Sequence, residues 1–159
     1  MKILFSKYHA NGNDFILVLD KDFPKKFRRP DIISRLCHRR IGIGADGMFI
    51  ISPSKDYDFF LDYYNADGSW ETLCANGSRC ASKFIYSLNN TKRKLKFETG
   101  AWVHTAEIKS NGNVLMSMKT PVYKSECLSP EGVPGFFVDS GARHFVCQSD
   151  NLNEDHVLV

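Results

Sequence analysis

The chain has 159 residues, 43% hydrophobic and 25% charged, the balance of a folded globular protein, which excludes intrinsic disorder. Twenty-one basic against 18 acidic residues leave a net charge of +3, too small to mark a nucleic-acid or anionic-membrane surface. The 5 cysteines are odd in number and irregularly spaced, which speaks against a disulfide framework; with no signal-peptide or membrane-span pattern, a reducing, cytoplasmic setting is expected.

In chain order, Ile3–Tyr8 predicts a strand and Ala10–Asp14 a turn cluster, followed by a second strand at Phe15–Leu19. The pair reads as a hairpin with a long loop. Pro30–Arg39 predicts a helix, because Ile32, Ile33, Leu36 and Cys37 fall at helical spacing and Gly42 and Gly44 follow. Met48–Ile51 and Phe59–Tyr64 are strands separated by Pro53 and Asp56, and Asn65–Gly68 is a tight turn. Cys80, Ala81, Phe84, Ile85 and Leu88 share one face of a mostly buried helix over 77–88. Leu95–Thr99, Val103–Ile108 and Val114–Met118 form a meander with turns at Gly100 and Asn111–Asn113. Pro121–Pro134 reads as irregular, and Phe136–Asp139 with Phe145–Gln148 as a strand pair. The composition changes near Pro121, which sets the expected lobes at 1–120 and 121–159. The basic runs at Lys25–Arg29 and Lys92–Lys96 flank turns and read as solvated loop faces.

Chemistry concentrates in Asn65–Cys80. Cys74 stands just before Ala75-Asn76-Gly77, which leads into the helix. Unpaired N–H groups at a helix N-terminus stabilise a thiolate and can hold a carboxylate, so Cys74 reads either as an acid/base thiol or as a small buried residue. Cys80 falls on the apolar face and reads as packing. Cys37 and Cys147 read as core, and Cys127 as a loop residue. No cysteine pair has zinc-ligand spacing, so no metal site is expected.

Several ordered blocks resemble the diaminopimelate epimerase family. They are Lys7–Phe15, ending in Gly12-Asn13-Asp14-Phe15; Gly42-Ile43-Gly44-Ala45-Asp46-Gly47; Asn65-Ala66-Asp67-Gly68-Ser69; and Cys74-Ala75-Asn76-Gly77-Ser78-Arg79-Cys80. The resemblance implies an α/β (α+β) fold, a curved and mainly antiparallel sheet wrapped around a central helix. It also implies cofactor-independent interconversion of LL- and meso-diaminopimelate, in lysine biosynthesis, by two thiols on opposite faces of one α-carbon. A thiol titrates near roughly 8.5, close enough to working pH to serve as acid or base.

Carried over by motif, Cys74 is the catalytic thiol the family labels the proton donor. Ala75 and Asn76 bind the substrate carboxylate, and Asn13 and Asn65 hydrogen-bond the substrate. On their own residue type, both asparagines read as turn formers. His144, in Gly141-Ala142-Arg143-His144, matches a histidine thought to set thiol pKa values, and it also reads as a structural residue before a strand.

The chain departs from the family's pattern in four places. Ala75 stands where the family has glycine, and Gly47 where some members place a substrate-binding glutamine. Ala142 and Arg143 replace an Asn-Pro pair. The second catalytic cysteine belongs to a C-terminal block that does not occur before Val159, so the expectation is one wall of the active site and an unfinished second lobe. The expected partners are the small-molecule substrate and either a second copy or a C-terminal half. The rival readings are an isomerase-fold relative acting on another small acid, and a half-domain that binds without catalysis.

Overall fold

The computed structural model describes residues 3–89, 92–129 and 132–147. The chain forms two compact units that divide between Met118 and Lys119. In the first, β1 (Ser6–Ala10) and β2 (Asn13–Leu19) pair antiparallel, with Ala10 opposite Asn13. The loop between them is two residues long rather than extended. Asn11 (φ 56°) and Gly12 (φ 88°) both take positive φ, which matches the tight hairpin turn to the twist of the strands. That turn draws pairing out to Ala10, so the strand begins at Ser6 instead of Ile3.

Helix α1 (Pro30–Cys37) carries the chain from β2 to β3 (Gly47–Ser52), which pairs parallel to β2. Pro30 suits the first helical position because its missing N–H would have no partner there. The helix stops two residues before the expected Arg39: His38 is extended (ψ 121°), and its Nδ1 accepts the Arg40 N–H at 3.1 Å. β4 (Phe59–Asn65) returns antiparallel to β3, with the short β5 (Trp70–Glu71) on its end. Helix α2 (Ala75–Asn89) then crosses to β6 (Lys94–Thr99), which lies parallel to β4. β7 (Val103–Ile108) and β8 (Val114–Met116) complete an antiparallel meander. The sheet order is β1-β2-β3-β4-β6-β7-β8.

Each parallel pair needs a crossover helix, and the two helices cover opposite faces of the sheet. Phe15, Leu17, Phe49, Ile51, Phe59, Leu61 and Phe97 bury against Cys80, Ala81 and Phe84 of α2. Ile16, Val18, Met48 and Ile50 bury with Ile33 and Cys37 of α1. This explains why β2 and β3 are apolar without alternation, whereas β4 alternates from Phe59 to Tyr63. Each fully buried Phe, Leu or Ile contributes about 1.5–3 kcal/mol. His104 is also fully buried; its Nδ1 meets the Ser117 carbonyl at 3.0 Å, its Nε2 meets Thr99 Oγ1 at 3.3 Å, and burial pushes its pKa down.

The second unit holds a three-stranded antiparallel sheet ordered β11-β10-β9. β9 (Val122–Tyr123) arises within the stretch read as irregular, because Val122 and Tyr123 pair with Asp139 and Val138 of β10 (Gly135–Asp139). β11 (Arg143–Cys147) completes it, and Gln148 lies outside the described residues. Cys37 and Cys80 are buried and Cys127 is exposed. Cys147 is exposed, not core, because it ends the outer strand β11, where it pairs with Gly135 at the edge of the small sheet. Among the described residues no helix is long and apolar enough to cross a membrane.

Candidate active site

Cys74 occupies the N-cap position of α2: its carbonyl accepts the Ser78 N–H at 2.9 Å, the first bond of the helix. The first N–H groups of a helix lack internal partners, and a side chain at the cap usually fills that need. Here the side chain is a thiol, and the Asn76 and Gly77 N–H groups bond to it. The helix therefore starts at Ala75, two residues before the expected start at Gly77. Gly77 is tied to a close approach. A β-carbon there would lie 2.0 Å from the Phe49 ring, so only glycine lets the first turn of α2 rest on β3.

Opposing influences act on the Cys74 thiol. Burial pushes its pKa up, while the two backbone N–H groups, the Tyr63 hydroxyl and the Arg79 charge pull it down. Burial wins, and Cys74 rests as a protonated thiol whose thiolate already has donors around it. Tyr63, on β4, stacks on Phe49 with ring centroids 4.7 Å apart. Its hydroxyl donates to Asn65 Oδ1 at 2.6 Å, and the Asn65 amide donates to Ser69 Oγ at 3.1 Å.

A second arm of polar groups reaches the helix from β2. Asn13 Nδ2 donates to Asp46 Oδ2 at 2.8 Å, and Asn76 Nδ2 donates to Asn13 Oδ1 at 3.2 Å. Arg79 in turn donates to Asn76 Oδ1. Asp46 is braced by Arg39 at 2.6 Å and by the Asp14 N–H at 3.1 Å. Asp14 carries Arg39 at 2.7 Å and Lys7 at 2.9 Å, and Lys7 also donates to the Gly44 carbonyl. Arg39 first, then Lys7 and the Asp46 N–H, hold the Asp14 carboxyl well below the usual carboxylate range. Partly exposed ion pairs of this kind each add only about 0–1 kcal/mol. Their effect is geometric: they fix the Asp46 carboxylate, which fixes Asn13, which fixes Asn76.

The first unit thus gathers Asn13, Asn65, Cys74, Ala75 and Asn76. Asn13 and Asn76 touch directly, and Tyr63 links Asn65 to Cys74. His144 lies on β11 of the second unit, exposed and opposite Val138. Ala75, Arg79 and Cys80 also border an open groove of about 790 Å³ walled by Tyr8, Val114 and Met116. Cys74, Asn13 and Asn65 do not line it, so the groove is not the site itself.

The sequence reading missed Tyr63, Arg79, Asp14, Asp46 and Arg39 as parts of this site. Asp14, Asp46 and Arg79 stood inside quoted motifs without a role. Alternation along β4 could have turned Tyr63 toward α2. Arg39 had no local signal, since its partners Asp14 and Asp46 become neighbours only through the β2–β3 pairing.

The family model for diaminopimelate epimerase matches residues 5–124. The chain belongs to the diaminopimelate epimerase family. It is 34% identical over 167 residues to the diaminopimelate epimerase of Aquifex aeolicus, covering 97% of this chain and 60% of that protein. It is 37% identical over 149 residues to that of Nitratiruptor sp., covering 93% of this chain and 58% of that protein. The chain therefore spans about three fifths of the length of these relatives. Among solved structures it resembles a probable proline racemase from Agrobacterium radiobacter, with a TM-score of 0.70, 12% identity and coverage of 90% of this chain and 51% of that one. It also resembles a phenazine biosynthesis protein of the PhzF family from Bacillus anthracis, with a TM-score of 0.62, 19% identity and coverage of 92% and 56%. These likenesses show the fold: a curved, mainly antiparallel sheet with few helices, as the family resemblance implied.

Proposed function

We propose that this chain supplies the Cys74 side of a diaminopimelate epimerase active site, working without a cofactor. The observation that carries this reading is the Cys74 thiol capping α2, with the Asn76 and Gly77 N–H groups, the Tyr63 hydroxyl and the Arg79 charge around it. In the proposed reaction a base on one face of the α-carbon takes its proton and the electron pair stays on the substrate. Cys74 gives its proton to the opposite face and becomes a thiolate, which the surrounding donors stabilise as the charge forms. The N-terminal turn at Ala75–Asn76 holds the α-carboxylate, and Asn13 and Asn65 orient the substrate beside it.

Inversion needs a second acid/base group on the other face. Among the described residues of the first unit, Cys37 and Cys80 are buried in the two apolar cores, out of reach of a substrate at the helix cap. We assign the second group to a C-terminal half or another copy, with His144 tuning the thiols in the assembled enzyme. On this reading the 159-residue chain alone does not interconvert the isomers but exchanges the α-proton slowly at Cys74.

The test is incorporation of deuterium at the α-carbon of diaminopimelate in heavy water, read by mass spectrometry. Exchange above the buffer control that disappears in Cys74→Ala supports the proposal. Equal exchange in the variant, or interconversion of the isomers by the short chain, overturns it.

A further inference from the structure

The two polar arms of the site meet the helix cap differently. Asn13 reaches Asn76 through side-chain amides, whereas Asn65 takes the Tyr63 hydroxyl at 2.6 Å, and that hydroxyl also acts on the Cys74 thiol. Tyr63 occupies space that another residue leaves open. A β-carbon built on Gly47 would lie 2.8 Å from the Tyr63 ring, 3.4 Å from its hydroxyl and 2.7 Å from the Tyr64 carbonyl oxygen. Gly47 and Asn65 are directly opposed in the β3–β4 ladder, so the glycine sits beside the tyrosine that fills its place. The ring is held by stacking on Phe49 at 4.7 Å and by the edge of Phe15 at 6.3 Å, which leaves the hydroxyl little freedom except rotation of its hydrogen.

We propose that Tyr63 is a positioning residue whose single hydroxyl proton is shared between Asn65 and Cys74, so that the protonation of the thiol sets the hold on the Asn65 amide. While Cys74 is a thiol, the phenol donates to Asn65 Oδ1, as the 2.6 Å contact records. When Cys74 becomes a thiolate, the charged sulfur is the stronger acceptor, and the phenol hydrogen turns to it. The Asn65 amide oxygen then loses its donor and is free to take one from a bound molecule. Gly47 is the structural condition for this arrangement, since any side chain there would displace the ring.

Among the described residues, few titratable or charged groups act on this pair. The charges of Arg79 on α2 and the neighbouring Cys80 act on Cys74 electrostatically, and Glu71 of β5 and Asp46 of the loop before β3 act so on Tyr63. None of them can replace the phenol as a neutral donor that rotates.

The inference rests on reading Cys74 as the reacting thiol, but its test needs no turnover, so a failed epimerase assay leaves it standing. The experiment measures iodoacetamide alkylation of the Cys74 peptide across pH by mass spectrometry, in the full chain. Tyr63→Phe keeps the ring and removes the donor. Its alkylation profile moves up by about one pH unit, and alkylation below the midpoint slows about tenfold. Asn65→Ala removes the competing acceptor and moves the profile the opposite way, by about half a pH unit. A Tyr63→Phe profile that superimposes on the parent or moves down overturns the proposal. So does an Asn65→Ala profile that fails to move down, a result read independently of how well the phenylalanine variant folds.

Discussion

Cys74 and Cys80 belong to the same helix and the same segment of sequence, yet their environments are opposite. Cys80 lies in the second turn, in the core among Ala81, Phe84 and the aromatic face of the sheet, and burial pushes its thiol up to about 11. Cys74 is also pushed up by burial, but at the cap it meets backbone N–H groups that no interior helical position offers. The difference teaches that location along the helix, more than burial, decides which thiol can carry charge.

The sharpest way to break this comparison is to remove each thiol. Cys74→Ala is expected to lower α-proton exchange at least about a thousandfold, with about 1 kcal/mol of stability lost with the cap. Cys80→Ala is expected to keep exchange and lose stability, as read by urea unfolding. Exchange that follows Cys80 instead would reverse the assignment.

A second variant tests why the cap can form. Alanine at a helical position ordinarily gains about 1 kcal/mol over glycine. Gly77→Ala drives a β-carbon to 2.0 Å from the Phe49 ring, and Phe49 is itself boxed in by Phe15 and Tyr63. Overpacking therefore wins, and a net loss of about 3 kcal/mol in denaturant unfolding is expected.

The core thiols carry a pH signature. The folded values of Cys37 and Cys80, about 11, lie above the ordinary 9.0, so the folded state favours the protonated form. The stability they contribute is complete below pH 9.0 and is lost as pH rises toward about 11, by about 2–3 kcal/mol for each thiol. Urea midpoints at pH 8 and 10.5 measure this loss, and Cys80→Ala should flatten it. An unchanged slope would place Cys80 outside the core.

The smallest expected effect concerns Ser78. Its hydroxyl is fully buried and has no hydrogen-bond partner among the described residues. Ser78→Ala relieves that cost and should gain about 1 kcal/mol, seen as a higher melting temperature with the Cys74 alkylation profile unchanged.

Much of this architecture was legible in the sequence because local chemistry determined it. Alternation placed β4, helical spacing placed both helices, and the motif blocks singled out Cys74 and Asn76. The reading failed where distant pairing supplied the cause. β9 exists because β10 offers it a partner, and the Arg39–Asp14–Asp46 cluster exists because β2 lies beside β3. Tyr63 was read as an ordinary strand residue, since its role depends on the emptiness of Gly47 across the ladder. The start of α2 was misjudged for a different reason: hydrophobic periodicity reports the buried face, and the capping turn precedes that face.

The polar arm from Asn13 to Asn76 also bears on the order in which the molecule folds. Asn13 and Asp46 are 33 residues apart in the chain, and Asn13 and Asn76 are 63 apart. The Asn11–Gly12 hairpin can close within microseconds, whereas contacts across such loops wait for the parallel strand pairs to assemble. Closing them costs chain entropy that only the finished sheet repays. Cys74 consequently acquires its surroundings late, and an incompletely folded chain carries it as an ordinary cysteine.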